Sequence, residues 1–163
     1  MRIGVVSDTH IPNRARILPA RLFELLDGVD MILHAGDIVE AWVLQELTAL
    51  APVEAVAGNM DPLELVNRLG RKKTLSLAGF KLGLIHGDHG SIRSKTPQRA
   101  LQAFSEDDVN CVVFGHSHQP YCQKENGILL FNPGSPTDRR REPRFSCGIL
   151  TLEKDIRGEI LFF

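Results

Sequence analysis

Short apolar runs alternate with amphipathic stretches through the first half of the chain, and the two periods predict strands and helices in succession. Ile3 to Ser7 is a run rich in β-branched residues and reads as a strand. Pro19 to Leu26 places Leu22, Phe23, Leu25 and Leu26 at helical spacing before Gly28 stops the pattern. Met31 to His34 reads as the next strand. Val39 to Leu50 repeats the helical spacing through Val43, Leu44, Leu47 and Leu50, and Val53 to Val56 follows as a strand ending in Ala57-Gly58-Asn59. This β-α-β-α-β order implies a parallel sheet, since parallel neighbours need crossover connections of about this length.

The second half is richer in strands. Thr74 to Leu77 and Lys81 to Ile85 flank Ala78-Gly79-Phe80 as a hairpin, Pro97 to Phe104 is one helix, and Cys111 to Phe114 resumes a buried strand. Pro120 to Lys124 and Ile128 to Phe131 flank the turn signal Asn126-Gly127, and Phe145 to Leu152 pairs with Gly158 to Phe162 in a last hairpin. No linker, low-complexity tract or repeat interrupts the chain, so residues 1–163 are expected to form one domain of two sheets packed between helices.

Composition narrows what such a domain does. At 163 residues, 43% hydrophobic, the chain needs no disulfide or structural metal to stay folded, so a metal would be functional. Nineteen Lys and Arg against 20 Asp and Glu lack the basic surplus of a dedicated binder of long nucleic acid. Three cysteines in largely apolar contexts, Cys111, Cys122 and Cys147, fit a reducing compartment. With no signal-peptide pattern and no apolar stretch of membrane-spanning length, the expectation is a cytoplasmic protein with no membrane partner.

The metal-capable side chains fall at the carboxyl ends of the expected strands, where open α/β sheets gather their ligands. Asp8 and His10 follow the first strand, Asp37 the second, and Asn59 the third. His86 follows the hairpin strand, and His116 and His118 follow the strand that ends at Phe114. Two carboxylates, one carboxamide and four imidazoles thus reach one rim, enough for two metal ions. Residues two apart at an extended strand end point the same way, so Asp8 with His10 and His116 with His118 can each converge. Mixed nitrogen and oxygen donors suit first-row ions better than Ca²⁺ or Mg²⁺, and the absence of cysteine argues against a structural zinc knuckle. The glycines before Asp37, Asn59 and His116 suit tight turns and close backbone approach.

The ordered blocks Asp8-Thr9-His10, Gly36-Asp37, Gly58-Asn59, His86 and Gly115-His116-Ser117-His118 resemble the calcineurin-like metallophosphoesterases, closest to their small YfcE-like phosphodiesterase branch. The resemblance runs from Asp8 to Asn132-Pro133-Gly134-Ser135. It implies a four-layer α/β/β/α sandwich with two mixed sheets. One ion would be held by Asp8, His10, Asp37 and His118, and a second by Asp37, Asn59, His86 and His116, with Asp37 bridging them. The ions would be Mn²⁺ first, with Fe²⁺, Co²⁺, Ni²⁺ or Zn²⁺ as alternatives, and a hydroxide shared between them would attack the phosphorus of a small phosphodiester. Asn59 would also offer its NH₂ group to a substrate oxygen. A phosphomonoesterase or nucleotide phosphatase is the alternative within the class. A non-catalytic interaction scaffold, the role of a retromer subunit of the same fold, is the alternative outside it, and a homo-oligomer stays open.

One departure from the family pattern concerns the leaving group. Many members have a histidine directly after Gly-Asn, thought to protonate the departing oxygen, whereas this chain has Met60, which has no proton to donate. His89 and Asp61 are the nearest candidates for that or a supporting role. His34 reads as a buried core histidine. Arg139, Arg140, Arg141 and Arg144 form either a solvated loop or a set of guanidinium groups for a substrate phosphate.

Overall fold

The computed structural model describes residues 1–89 and 95–163. Its first half carries β1 (Arg2–Val6), α1 (Ala20–Leu25), β2 (Met31–His34), α2 (Trp42–Thr48), β3 (Val53–Ala55) and α3 (Leu63–Leu69). The second half carries β4 (Lys72–Leu77), β5 (Phe80–Ile85), α4 (Thr96–Gln102), β6 (Cys111–Val113), β7 (Tyr121–Glu125), β8 (Ile128–Asn132), β9 (Ser146–Leu152) and β10 (Ile156–Phe162). The periodicity anticipates every one of these except α3. Only Leu65 of its seven residues is buried and Leu63 is 72% exposed, so no apolar stripe announces it; Pro62, in extended conformation, supplies the start. Helix α2 also begins later than its spacing suggests, because Val39 has φ 77° and pairs instead with Ile11 in an isolated bridge.

One five-stranded sheet has the order β10-β9-β1-β2-β3, and the other β4-β5-β6-β8-β7. Within the first, β1, β2 and β3 run parallel and β9 is antiparallel to β1; within the second, β5, β6 and β8 run parallel between antiparallel edges β4 and β7. Both sheets are therefore mixed, and each presents a set of parallel carboxyl ends.

Alternation along the strands divides the apolar residues into three buried clusters. Ile3, Val5 and Leu33 of the first sheet meet Leu82, Leu84, Cys111, Val113 and Phe131 of the second between the sheets. Val6 and Ile32, on the other face, pack against Leu22 and Leu26 at α1 and Val43, Leu44 and Leu47 of α2. Val112 and Leu130 face Ala100 of α4 and Phe104 just beyond it. The layers are thus helix, sheet, sheet, helix, and the core is apolar and independent of any ion. The three cysteines are free, and burial pushes the Cys147 thiol up to about 12. Among the described residues no helix is long and apolar enough to cross a membrane.

Candidate metal centre

The parallel strand ends of both sheets meet at one edge, and backbone hydrogen bonds continue past the strands to fix the loops against each other. The Asp8 N–H donates to the Gly36 carbonyl at 3.0 Å, the His10 N–H to the Asp37 carbonyl at 3.0 Å, and the Gly115 N–H to the His86 carbonyl at 3.1 Å. Asp8, His10, Asp37, His116 and His118 all have φ between 46° and 65°. Left-handed backbone is costly for residues with a Cβ, and five of them together mark a strained rim of the kind found at functional sites. Gly36 has φ 93°, and a Cβ there would lie 2.8 Å from the Gly58 nitrogen. Only glycine lets these two loops approach so closely.

Asp8, His10 and His118 bring one donor atom each into a buried cluster able to hold an ion. The Nε2 atoms of His10 and His118 are 3.2 Å apart, and His118 Nε2 is 3.3 Å from Asp8 Oδ1. His118 donates from Nδ1 to the Asp138 carbonyl at 2.6 Å, which leaves a lone pair on Nε2 aimed at the cluster. Asp8 Oδ2 accepts from Ser7 Oγ and the His116 N–H, while Oδ1 is buried with no hydrogen-bond partner.

The second cluster comprises Asp37, His86 and His116. His86 donates from Nδ1 to the Ala35 carbonyl at 2.7 Å, so its Nε2 lone pair points at Asp37 Oδ2, 3.2 Å away, and Nε2 is likewise buried without a hydrogen-bond partner. Two electron-rich atoms held this close need a cation between them, either a proton or a metal. In the metal-free protein it is the proton. Burial opposes a charge on His86, yet the contact with Asp37 and the charge of Asp8 outweigh it and raise its pKa to about 9. Burial likewise acts against the Asp37 carboxylate, but His86 and the Met60 N–H hold its pKa at about 2. Asp37 Oδ2 also lies 3.6 Å from His10 Nε2, so this carboxylate faces both clusters. Asn59, on the exposed side, has Oδ1 at 3.1 Å from His116 Nδ1.

All seven side chains expected from the strand ends are therefore gathered here. Imidazole and carboxylate donors gathered in two clusters, with the buried Asp8 Oδ1 in the first making no hydrogen bond, fit divalent first-row metal binding.

The residues that hold this rim are less visible in the sequence. Asp61 accepts four backbone N–H groups, from Asp37, Ile38, Val39 and Gly58, at 2.6 to 3.0 Å. It clamps the Asp37 loop to the Gly58 loop, and burial raises its pKa despite those donors. Ser135 Oγ donates to the Asp8 carbonyl at 2.8 Å and Thr137 Oγ1 to the Thr9 carbonyl at 2.6 Å, while Asn132 Nδ2 donates to the Gly115 carbonyl. His34 is fully buried beside Thr9 and Gly36, and burial lowers its pKa to about 3, so it remains neutral. His89 lies outside both clusters, exposed and 3.8 Å from Asp88. The Met60 side chain is 51% exposed, and only its backbone serves the site, donating to Asp37 Oδ1 at 2.8 Å.

The chain matches the calcineurin-like phosphoesterase superfamily domain over residues 1–155. A protein of Methanocaldococcus jannaschii named a probable metallophosphoesterase is 42% identical over 161 residues, spanning 99% of this chain and 81% of that protein. A phosphodiesterase of the same organism is 26% identical over 165 residues, spanning 93% and 87%. Among solved structures, wild-type Vps29 of Entamoeba histolytica complexed with Zn²⁺ shares the fold at a TM-score of 0.78, with 22% identity and 99% of both chains covered.

Proposed function

This chain belongs to the calcineurin-like phosphoesterase superfamily, and on that premise we propose that it is a phosphodiesterase dependent on two divalent transition-metal ions, Mn²⁺ first among them. Asp8, His10 and His118, with Asp37 beside them, would hold one ion; Asp37, His86 and His116, with Asn59 beside them, would hold the other. When bound, the ions supply Lewis acidity, neutralising phosphoryl charge and lowering the pKa of water. The chain's own groups do the rest. His86 and His118 are fixed in one tautomer by the Ala35 and Asp138 carbonyls, Asp61 keeps the Asp37 loop in register, and the Asn59 amide stands on the open side where a substrate oxygen enters. The carrying observation is the gathering of carboxylate and imidazole donors into two neighbouring clusters, Asp8, His10 and His118 in one and Asp37, His86 and His116 in the other. The M. jannaschii phosphodiesterase supports the diester over the monoester.

The test is a screen of the protein reconstituted with Mn²⁺, Fe²⁺, Co²⁺, Ni²⁺ or Zn²⁺ against bis(4-nitrophenyl) phosphate and 4-nitrophenyl phosphate. Turnover of the diester with little of the monoester is expected. Monoester preference would move the reading to a phosphatase, and inactivity with every metal would favour the interaction scaffold.

A further inference from the structure

A cleft of about 310 Å³ opens beside the first cluster, lined by His118 and its neighbours on one loop and by the run from Arg139 to Glu142 on another. That volume sits at the lower end of small-ligand sites. Three guanidinium groups against one carboxylate line it, in a chain whose net charge is -1, so the positive charge is local. The loop is also built onto the metal centre. Asp138, whose carbonyl fixes His118, takes Arg140 Nε at 3.2 Å and Arg14 Nε at 3.3 Å on its carboxylate. Arg139 donates to the Glu142 carbonyl at 2.7 Å, closing the turn, while Arg141 makes no hydrogen bond or ion pair among the described residues. Discounting the Arg140–Asp138 pair, the cleft is still positive. Arg144 belongs elsewhere, stacked over the Phe162 ring at 4.7 Å.

The geometry points to a second anion subsite: the cleft takes a phosphate group other than the one being cleaved, so the preferred substrates are small phosphodiesters that carry a terminal phosphate. A guanidinium fork matches phosphate oxygens, and Arg141 stands ready for one without breaking any bond in the fold. The inference rests on the phosphodiesterase reading and adds a substrate class to it.

The probes are the dinucleotides pdTpdT and dTpdT, which differ only in the terminal phosphate. With the Mn²⁺-reconstituted protein, kcat/KM is expected to favour pdTpdT about tenfold, with the preference shrinking as salt screens the exposed arginines. Arg139→Ala/Arg141→Ala should bring the ratio close to one, and Arg141→Ala alone, which removes no contact, should lower it several-fold. Arg144→Ala should keep the parent ratio. A ratio of one in the parent protein, or one unmoved by the double variant, overturns the subsite. Calorimetric binding of both dinucleotides to the metal-free protein separates this from failure of the phosphodiesterase reading. If no diester is cleaved, tighter binding of pdTpdT that the double variant abolishes still upholds the subsite, and equal binding of the two refutes it.

Discussion

The two ligand clusters draw on the same residue types at the same position, the loop after a parallel strand, but one is closed and the other open. Asp8, His10 and His118 are all buried, and Ser135, Thr137 and Asp138 brace their loops from the far end of the chain. In the second cluster Asp37 and His86 are buried, but His116 is half-buried and Asn59 exposed. The contacts among the described residues differ too: Asn59 Oδ1 lies 3.1 Å from His116 Nδ1 on the exposed side, whereas the first cluster's ligands are tied down by Ser135, Thr137 and Asp138. On the proposed function, the more exposed second cluster is the one a substrate oxygen would reach. The predictions that follow test that contrast, beginning with the residue the clusters share.

Asp37→Asn removes the carboxylate that contacts both His10 and His86 and should lower kcat for a diester by about 10³-fold or more while the protein remains folded. The apolar core between the sheets contains none of the ligand side chains. Elemental analysis beside a thermal melt reads both halves of the claim. Two ions in the parent and fewer in the variant, with a cooperative melt in each, are expected; a variant unfolded at room temperature would make the centre structural.

Asp61→Ala comes next. It strips four backbone N–H groups of their acceptor, which should destabilise the protein by about 3 kcal/mol. Metal affinity should fall about 10- to 100-fold, chiefly at the second cluster, since both loops joined by the clamp deliver its ligands. Equal loss at the two clusters, read by competitive chelation, would show that the first is no more independent than the second.

What the sequence makes legible in all this is the ligands and not their support. Strand-end aspartates and histidines announce themselves because β-branched runs, glycine turns and metal-binding side chains are each local signals. The same holds for the hairpin turns at Ala78-Gly79 and Asn126-Gly127, which join β4 to β5 and β7 to β8. Asp61 is a different case. Next to Gly58-Asn59 it looks like turn chemistry, and its clamp depends on backbone groups 22 to 24 residues earlier. Likewise nothing in Thr137 or Asp138 signals that they hold Thr9 and His118, because those contacts exist only once the two sheets have closed. The left-handed φ angles of the ligands are also invisible, since aspartate and histidine carry no sign of the strain they accept.

pH gives a smaller effect with opposite signs in the two forms of the protein. In the metal-free protein His86 has its pKa raised to about 9 from 6.5. Its contribution to stability is then fully present below pH 6.5 and lost as the pH rises through 9. With metal bound the sign reverses, since the ion needs the Nε2 lone pair and a proton competes for it. Melting temperatures measured across that window should fall with pH for the metal-free protein and rise for the loaded one. Parallel curves would mean that His86 is not a ligand.

The smallest and most selective effect concerns Met60, on the open side of the comparison. Its backbone N–H serves Asp37 while the residue is 51% exposed, so replacing the side chain leaves that hydrogen bond in place. The proposed metal centre would supply a nucleophile but no proton for the departing oxygen, and Met60 has none to give. Aryl oxides leave readily as anions; alkoxides do not, and a positioned acid is worth ~10² to 10⁴-fold to them. The parent protein should therefore show kcat/KM falling steeply as leaving-group pKa rises. Met60→His puts an imidazole at the exposed rim and should improve esters of basic alcohols by about tenfold while leaving aryl esters nearly unchanged. A leaving-group series on both proteins, at matched metal content, decides it. A shallow slope in the parent would mean that an acid is already present, with His89 the first to replace; a uniform gain across the series would mean that the new side chain acts on binding and not on the departing oxygen.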